Sequence, residues 1–102
     1  SIIFTSSGVG RKGRAYWGAY SISKFATEAM MQILSEELQN TSSIRVNCIN
    51  PGAVRTKMRE SAYPAEDPNK NPTAEMIMKL YLYLMSDMSL GINGQSLDAQ
   101  ER

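Results

Sequence analysis

Apolar and polar positions along this chain fall into blocks whose period changes several times. Ile2, Ile3 and Phe4 with Thr5 form a short apolar, β-branched run closed by Ser6-Ser7-Gly8, the pattern of a buried strand that runs into a loop. Gly8, Gly10 and Gly13, interleaved with Arg11, Lys12 and Arg14, predict a flexible connection. From about Trp17 to Gln39 the period becomes that of a helix. Ile22, Phe25, Ala26, Ala29, Ile33 and Leu34 recur at three- and four-residue steps, and Lys24, Glu28, Gln32 and Glu36 occupy other faces. Asn40-Thr41-Ser42-Ser43 stops that helix. Ile44 to Asn50 reads as a second strand, with Ile44, Val46 and Cys48 on one face and Ile49 on the other. Both sides are therefore expected to be covered, as in a parallel sheet. Pro51-Gly52 ends the strand.

The segment from Ala53 to Pro72 carries Pro64, Pro68 and Pro72 among mixed charges and is expected to be an irregular loop. Loops of that length within a domain are often lids or binding segments. Thr73 is expected to cap a helix from Ala74 to about Met85, with Met76, Ile77, Leu80 and Leu84 on its buried face. Gly91, Asn93 and Gly94 predict a turn before a last strand, Gln95 to Leu97. The order is strand, helix, strand, loop, helix, strand. It calls for an α/β fold with parallel pairing and right-handed crossovers, half of a doubly wound Rossmann-type sheet. The opening on a strand already under way suggests a segment of a longer protein.

Bulk properties mostly exclude. With 102 residues the chain suffices for one domain with a modest core. Eleven basic residues against ten acidic ones give no electrostatic reason to expect nucleic acid or an anionic membrane as partner. The cluster Arg11, Lys12 and Arg14 is read as a solvated loop. The single cysteine, Cys48, forbids an intrachain disulfide and fits a cytoplasmic address. The absence of histidine removes His-based triads and His–Zn sites, and no metal is expected. No apolar run approaches the length of a membrane span.

Chemistry is then left to Ser, Tyr, Lys, Arg, Cys and the carboxylates. Tyr20 and Lys24 stand four apart on the long helix, so they share a face with Cβ atoms about 5–6 Å apart. A neighbouring ammonium favours the ionised phenol, and a phenol so placed can exchange protons in general acid/base catalysis. Ser7, at the C-terminal end of the first strand, stands where ligands gather in open α/β sheets. Each feature alone is ordinary: tyrosine–lysine pairs occur by chance, and strand-terminal serines usually cap a turn. Their combination is specific: Ser-Ser-Gly after a buried strand, a thirteen-residue step from Ser7 to Tyr20, Tyr-x-x-x-Lys on a helix, then a strand ending in Asn-Pro-Gly-x-x-x-Thr.

In that combination the chain resembles the short-chain dehydrogenases/reductases. The residues that carry the likeness are Phe4-Thr5-Ser6-Ser7-Gly8, Tyr20-Ser21-Ile22-Ser23-Lys24 and Arg45-Val46-Asn47-Cys48-Ile49-Asn50-Pro51-Gly52. Trp17-Gly18-Ala19-Tyr20, Lys24-Phe25-Ala26-Thr27-Glu28 and Thr56-Lys57-Met58-Arg59 resemble the bacterial YciK-type oxidoreductases within the family. The resemblance implies hydride transfer between NAD or NADP and a small secondary alcohol or ketone. Tyr20 would be the acid/base, Lys24 would tune it and bond the nicotinamide ribose, and Ser7 would orient the substrate oxygen. Pro51 and Gly52 would border the nicotinamide, and the Val54 backbone and Thr56 side chain would hold its carboxamide. The loop from about Lys57 to Pro72 would close over substrate. The long helix would also pack against a second subunit, making a homo-oligomer. The YciK-type likeness leans towards NADP.

Residues 1–102 would then be the C-terminal catalytic half of one Rossmann-type dehydrogenase domain. The glycine-rich phosphate turn, the residue that selects for or against a ribose 2′-phosphate, and the family's additional catalytic asparagine lie outside the sequence. Gly8-Val9-Gly10 does not replace that turn. Leu97-Asp98-Ala99 stands where Asp-Gly is common in the family. The segment alone is accordingly expected to bind dinucleotide poorly and to be inactive. The alternative is a dehydrogenase-like fold without catalysis, serving as a binding or structural protein.

Overall fold

The computed structural model describes residues 1–100. The strand β1 (Ile2–Thr5) lies where the apolar run predicts it. The helix α1 spans Gly18–Leu38, flanked by Trp17 and Gln39, and the strand β2 spans Val46–Asn50. The helices α2 (Lys57–Ala62) and α3 (Met78–Met85) follow, and the strand β3 (Ser96–Asp98) is last. The strands form a parallel sheet in the order β1-β2-β3. Ile2 stands beside Val46 and Thr5 beside Ile49, while Cys48 stands beside Ser96 and Asn50 beside Asp98. This is the α/β fold expected from the order of elements, as part of a doubly wound sheet.

The two main helices cover opposite faces of the sheet. Met31 of α1 packs on Val46 and Cys48, with Ile2, Phe4, Leu34 and Leu38 around them. Side chains alternate along a strand, so Thr5 points away from that layer. Its hydroxyl meets the Tyr81 hydroxyl of α3 at 2.9 Å. Strand order advances in one direction while the connecting helices change face, so the two crossovers have opposite hands. The expectation of two right-handed crossovers holds for one of them only. β2, in the centre, is buried at every position. Its Asn47 is fully enclosed with both ends of the amide bonded, Nδ2 donating to the Ile92 carbonyl at 3.0 Å and Oδ1 accepting from Gln95 N–H at 3.0 Å. A buried amide left unpaired would be costly, so this asparagine fixes the turn into β3.

Three expectations are corrected. Of the apolar stripe of α1 only Leu34 packs on the core: Ile22 is 71% exposed and Ile33 56%, and Phe25, Ala26 and Ala29 are exposed as well. The buried positions are Ser21, Glu28, Met31 and Ser35. Specific bonds set this rotation, with Ser21 Oγ donating to the Val9 carbonyl at 2.6 Å and Glu28 accepting from Ser96 Oγ at 3.0 Å. Second, Ala53–Pro72 is not wholly irregular, because it contains α2 and a 3₁₀ turn at Pro68–Lys70. Third, the later helix starts at Met78, after a 3₁₀ turn at Glu75–Ile77. Thr73 gives its backbone carbonyl to Met76 N–H at 3.1 Å. Ile77 and Leu84 are buried there, but Met76 is exposed. Ile44 precedes β2 and is exposed too.

Candidate active site

Ser7, two residues past the end of β1, opens a short 3₁₀ turn, Gly8–Gly10, against the first turns of α1. Two contacts dock that turn: the buried bond from Ser21 to the Val9 carbonyl, and the close approach of Gly10 to Lys24. A Cβ on Gly10 would stand 2.9 Å from the Lys24 Cβ and from its carbonyl oxygen, so only glycine fits. Ser7 Oγ accepts a long bond from Val9 N–H at 3.4 Å. That contact uses an acceptor site and leaves the hydroxyl proton available to a ligand.

Tyr20 and Lys24 lie on the side of α1 turned to this loop, and both are partly buried. The Lys24 ammonium donates to the Thr5 carbonyl at 3.1 Å and stands 5.6 Å from the centre of the Tyr20 ring. One lysine thus ties the phenol-bearing turn of the helix to the strand end two residues before Ser7. Ser7, Tyr20 and Lys24 are gathered at the C-terminal end of β1, where an open parallel sheet receives ligands. Trp17, three residues before Tyr20, lies 5.9 Å from its ring and extends the aromatic wall.

The turn after β2 stands at the same end of the sheet. Gly52 has φ +75°, a conformation that L side chains resist. Its N–H donates to Asn50 Oδ1 at 3.1 Å. Gln100 Nε2 donates to the carbonyls of Pro51 at 2.7 Å and Ala53 at 2.9 Å. A Cβ on Gly52 would meet that nitrogen at 2.8 Å. Val54 is buried. The exposed Thr56 caps α2, its hydroxyl accepting from Arg59 N–H at 3.1 Å.

Similarity to known proteins follows the same residues. The short chain dehydrogenase family profile matches residues 1–67. The chain belongs to the short-chain dehydrogenase family. It is 60% identical over 100 residues to an uncharacterized oxidoreductase, YciK, of Escherichia coli K12, covering 98% of this chain and 39% of that protein. An NADPH-dependent chloroplastic aldehyde reductase 2 of Arabidopsis thaliana is 34% identical over 107 residues, covering 96% of this chain and 39% of the reductase. A crystal structure of a short chain dehydrogenase from Escherichia coli CFT073, complexed with NADPH, superposes with a TM-score of 0.93. It is 59% identical, over 99% of this chain and 41% of that one. The chain thus spans about two fifths of the length of these relatives.

Beside these residues, the segment expected from the family resemblance to be a lid is built on a second cluster. Arg59 binds Glu66 through both carboxylate oxygens, at 3.0 and 2.8 Å, and Asn71 Nδ2 donates to the same carboxylate at 2.7 Å. The Arg59 guanidinium beside Glu66, then the Asn71 amide, pull that carboxyl down to about 2. Arg59 also stacks 3.7 Å over Tyr63, whose ring stands 6.2 Å from Trp17 and so joins α2 to the entry of α1. A cleft of about 240 Å³ opens here, walled by Arg55, Thr56, Tyr63 and Asn71 among others. Cys48 lies buried in β2, where burial, then the nearby Glu28, pushes its thiol up to about 12.

Sequence reasoning missed Arg11 and Gln100. Arg11, read as a solvated loop residue, binds three successive residues of β3: Ser96 Oγ at 2.9 Å, the Leu97 carbonyl at 3.2 Å and Asp98 Oδ1 at 2.7 Å. Its partners lie 85 to 87 residues away in sequence, beyond any local pattern. Gln100 likewise carries no motif, and only the fold brings it over the Pro51–Ala53 turn.

Proposed function

We propose that this chain is the C-terminal catalytic half of an NADP(H)-dependent oxidoreductase that interconverts a small ketone or aldehyde and its alcohol. The observation that carries the reading is Lys24, its ammonium set between the Thr5 carbonyl at 3.1 Å and the Tyr20 ring at 5.6 Å, beside the Ser7 loop. The NADPH complex of a 59%-identical relative supports the choice of cofactor. The exposed apolar stripe of α1, from Ile22 to Ile33, supports a homo-oligomer formed through this helix. No helix among the described residues is long and apolar enough to cross a membrane, and a cytoplasmic site is part of the reading.

The residues present suit the nicotinamide end of the cofactor. Lys24 has three donors, of which the Thr5 carbonyl takes one, leaving others for ribose hydroxyls. The Val54 backbone and the Thr56 hydroxyl offer the donor and acceptor that a carboxamide needs, and the Pro51–Gly52 turn forms the border. Gly8–Gly10 does not suit the pyrophosphate, because Gly10 is occupied in packing against Lys24. The nicotinamide supplies or accepts the hydride when bound. Ser7 donates a hydrogen bond to the substrate oxygen and orients it. Tyr20 gives its phenolic proton to that oxygen in reduction and takes it back in oxidation. Lys24, as a neighbouring positive charge, stabilises the phenolate that remains. α2 and the chain to Pro72 shield the site from water.

The test uses the protein at the full length of its relatives. NADPH titration followed by a ketone and aldehyde panel is expected to show NADPH binding and its consumption. Lys24→Met is expected to weaken both. Failure of the unmodified protein to bind either NADPH or NADH would overturn the proposal.

A further inference from the structure

We infer that Arg11 and Asp98 are positioning residues, a clamp through the last strand that sets the Ser7 loop against the Pro51–Gly52 turn; the inference rests on the oxidoreductase reading above. β3 carries none of the residues assigned to the reaction, yet the pieces that carry them meet on it. On one side Arg11 N–H donates to the Gly8 carbonyl at 3.1 Å, so the residue belongs to the turn that Ser7 opens. Its guanidinium crosses to β3 and bonds Ser96, Leu97 and Asp98. On the other side the same Asp98 Oδ1 accepts from Asn50 Nδ2 at 3.0 Å. Asn50 Oδ1 in turn accepts from Gly52 N–H at 3.1 Å. One carboxylate oxygen thus links the serine-bearing loop to the glycine that borders the nicotinamide. A branch reaches the third piece, since Ser96 Oγ accepts from Arg11 and donates to Glu28, one turn beyond Lys24 on α1.

The chemistry fits alignment better than bulk stability. The Arg11 and Asp98 side chains are 31% and 48% exposed, and ion pairs so wet add little to global stability. A guanidinium spread over three acceptors in a row nevertheless fixes the loop in direction as well as distance. Lysine cannot reproduce that fork.

The test compares unmodified full-length protein with Arg11→Met, Arg11→Lys, Asp98→Asn and the Arg11→Met/Asp98→Asn double variant. Readouts are amide hydrogen exchange without cofactor, NADPH affinity by fluorescence titration, and melting temperature. In each single variant, exchange at Gly8–Gly10 and Gly52 is expected to quicken about tenfold, with the interior of β2 unchanged and melting little altered. NADPH affinity is expected to fall about five- to tenfold, and the double variant to be no worse than the singles, because both remove one link. If Arg11→Met does not fold, Arg11→Lys and Asp98→Asn carry the test. Exchange at both sites within about twofold of the unmodified protein overturns the inference, as does a double variant whose losses multiply. Were the unmodified protein itself not to bind NADPH, the oxidoreductase reading would fall, while the exchange data would still decide whether the clamp exists.

Discussion

The two faces of α1 contrast sharply. The face turned to the sheet carries Tyr20, Ser21, Lys24, Glu28, Met31 and Ser35, a mostly polar set that is partly or fully buried. The opposite face carries Ile22, Phe25, Ala26, Ala29 and Ile33, an apolar set left exposed. An amphipathic helix on a monomer's surface would show the reverse. Inside, a few directed bonds hold the helix together with Met31, at 1% exposure, and the half-buried Leu34 and Leu38 beside it. Outside, Ile22, Phe25 and Ile33 are exposed along one side, the feature on which the proposed self-association rests. The lesson is that the inward side of this helix is held largely by directed polar contacts, while most of its apolar stripe is left outward, as the proposed homo-oligomer would use it.

That contrast can be broken in stages. Met31→Ala should cost about 2–5 kcal/mol in urea unfolding, as for other enclosed core residues. Ile33→Ala should cost less than about 1 kcal/mol at protein concentrations low enough to dissociate subunits. Equal costs would mean that the two faces are not different. Ile22→Glu combined with Ile33→Glu should abolish self-association in sedimentation while leaving NADPH affinity within about twofold, because the changed side chains point away from the site. Persistence of the oligomer would remove the outward face from any interface.

Smaller effects sharpen the picture at the ends of the site. Tyr16, just before α1, is fully exposed and sits at φ +70°. Tyr16→Asn should therefore raise stability by about 1 kcal/mol by relieving a left-handed backbone, measurable as a higher urea midpoint. The smallest effect concerns Glu66, whose folded-state value of about 2 lies below the ordinary glutamate value. Its contribution is full above the ordinary value and is lost as pH falls through about 2. An NMR titration of its carboxyl should place the midpoint there, and Arg59→Met should move it upward.

What the sequence disclosed follows the range of the forces involved. β1 and α1 were legible nearly to the residue, because strand and helix periods are local and Ser6-Ser7-Gly8 and Asn40-Thr41 punctuate them. The spacing of Ser7, Tyr20 and Lys24 was legible for the same reason. Which side of α1 is buried was not, because hydrophobic periodicity reports that a helix has two faces and not which of them meets the sheet. α2 was hidden by its brevity and exposure, though Thr56 as cap and Pro64 beyond its end were available signals. The Arg11 clamp was out of reach, since its partners lie at the other end of the chain. The face that α3 covers, and with it the opposite crossover hands, shows only in contacts such as Tyr81 with Thr5, 76 residues apart.

The account stands on the inward face of α1 as the source of the transferred proton. Its most direct test is single-turnover reduction by full-length Tyr20→Phe at saturating NADPH, beside the unmodified protein. The expected result is a rate about 10²–10⁴-fold lower with NADPH affinity within about threefold. An unchanged rate in a folded, NADPH-bound variant would contradict the account.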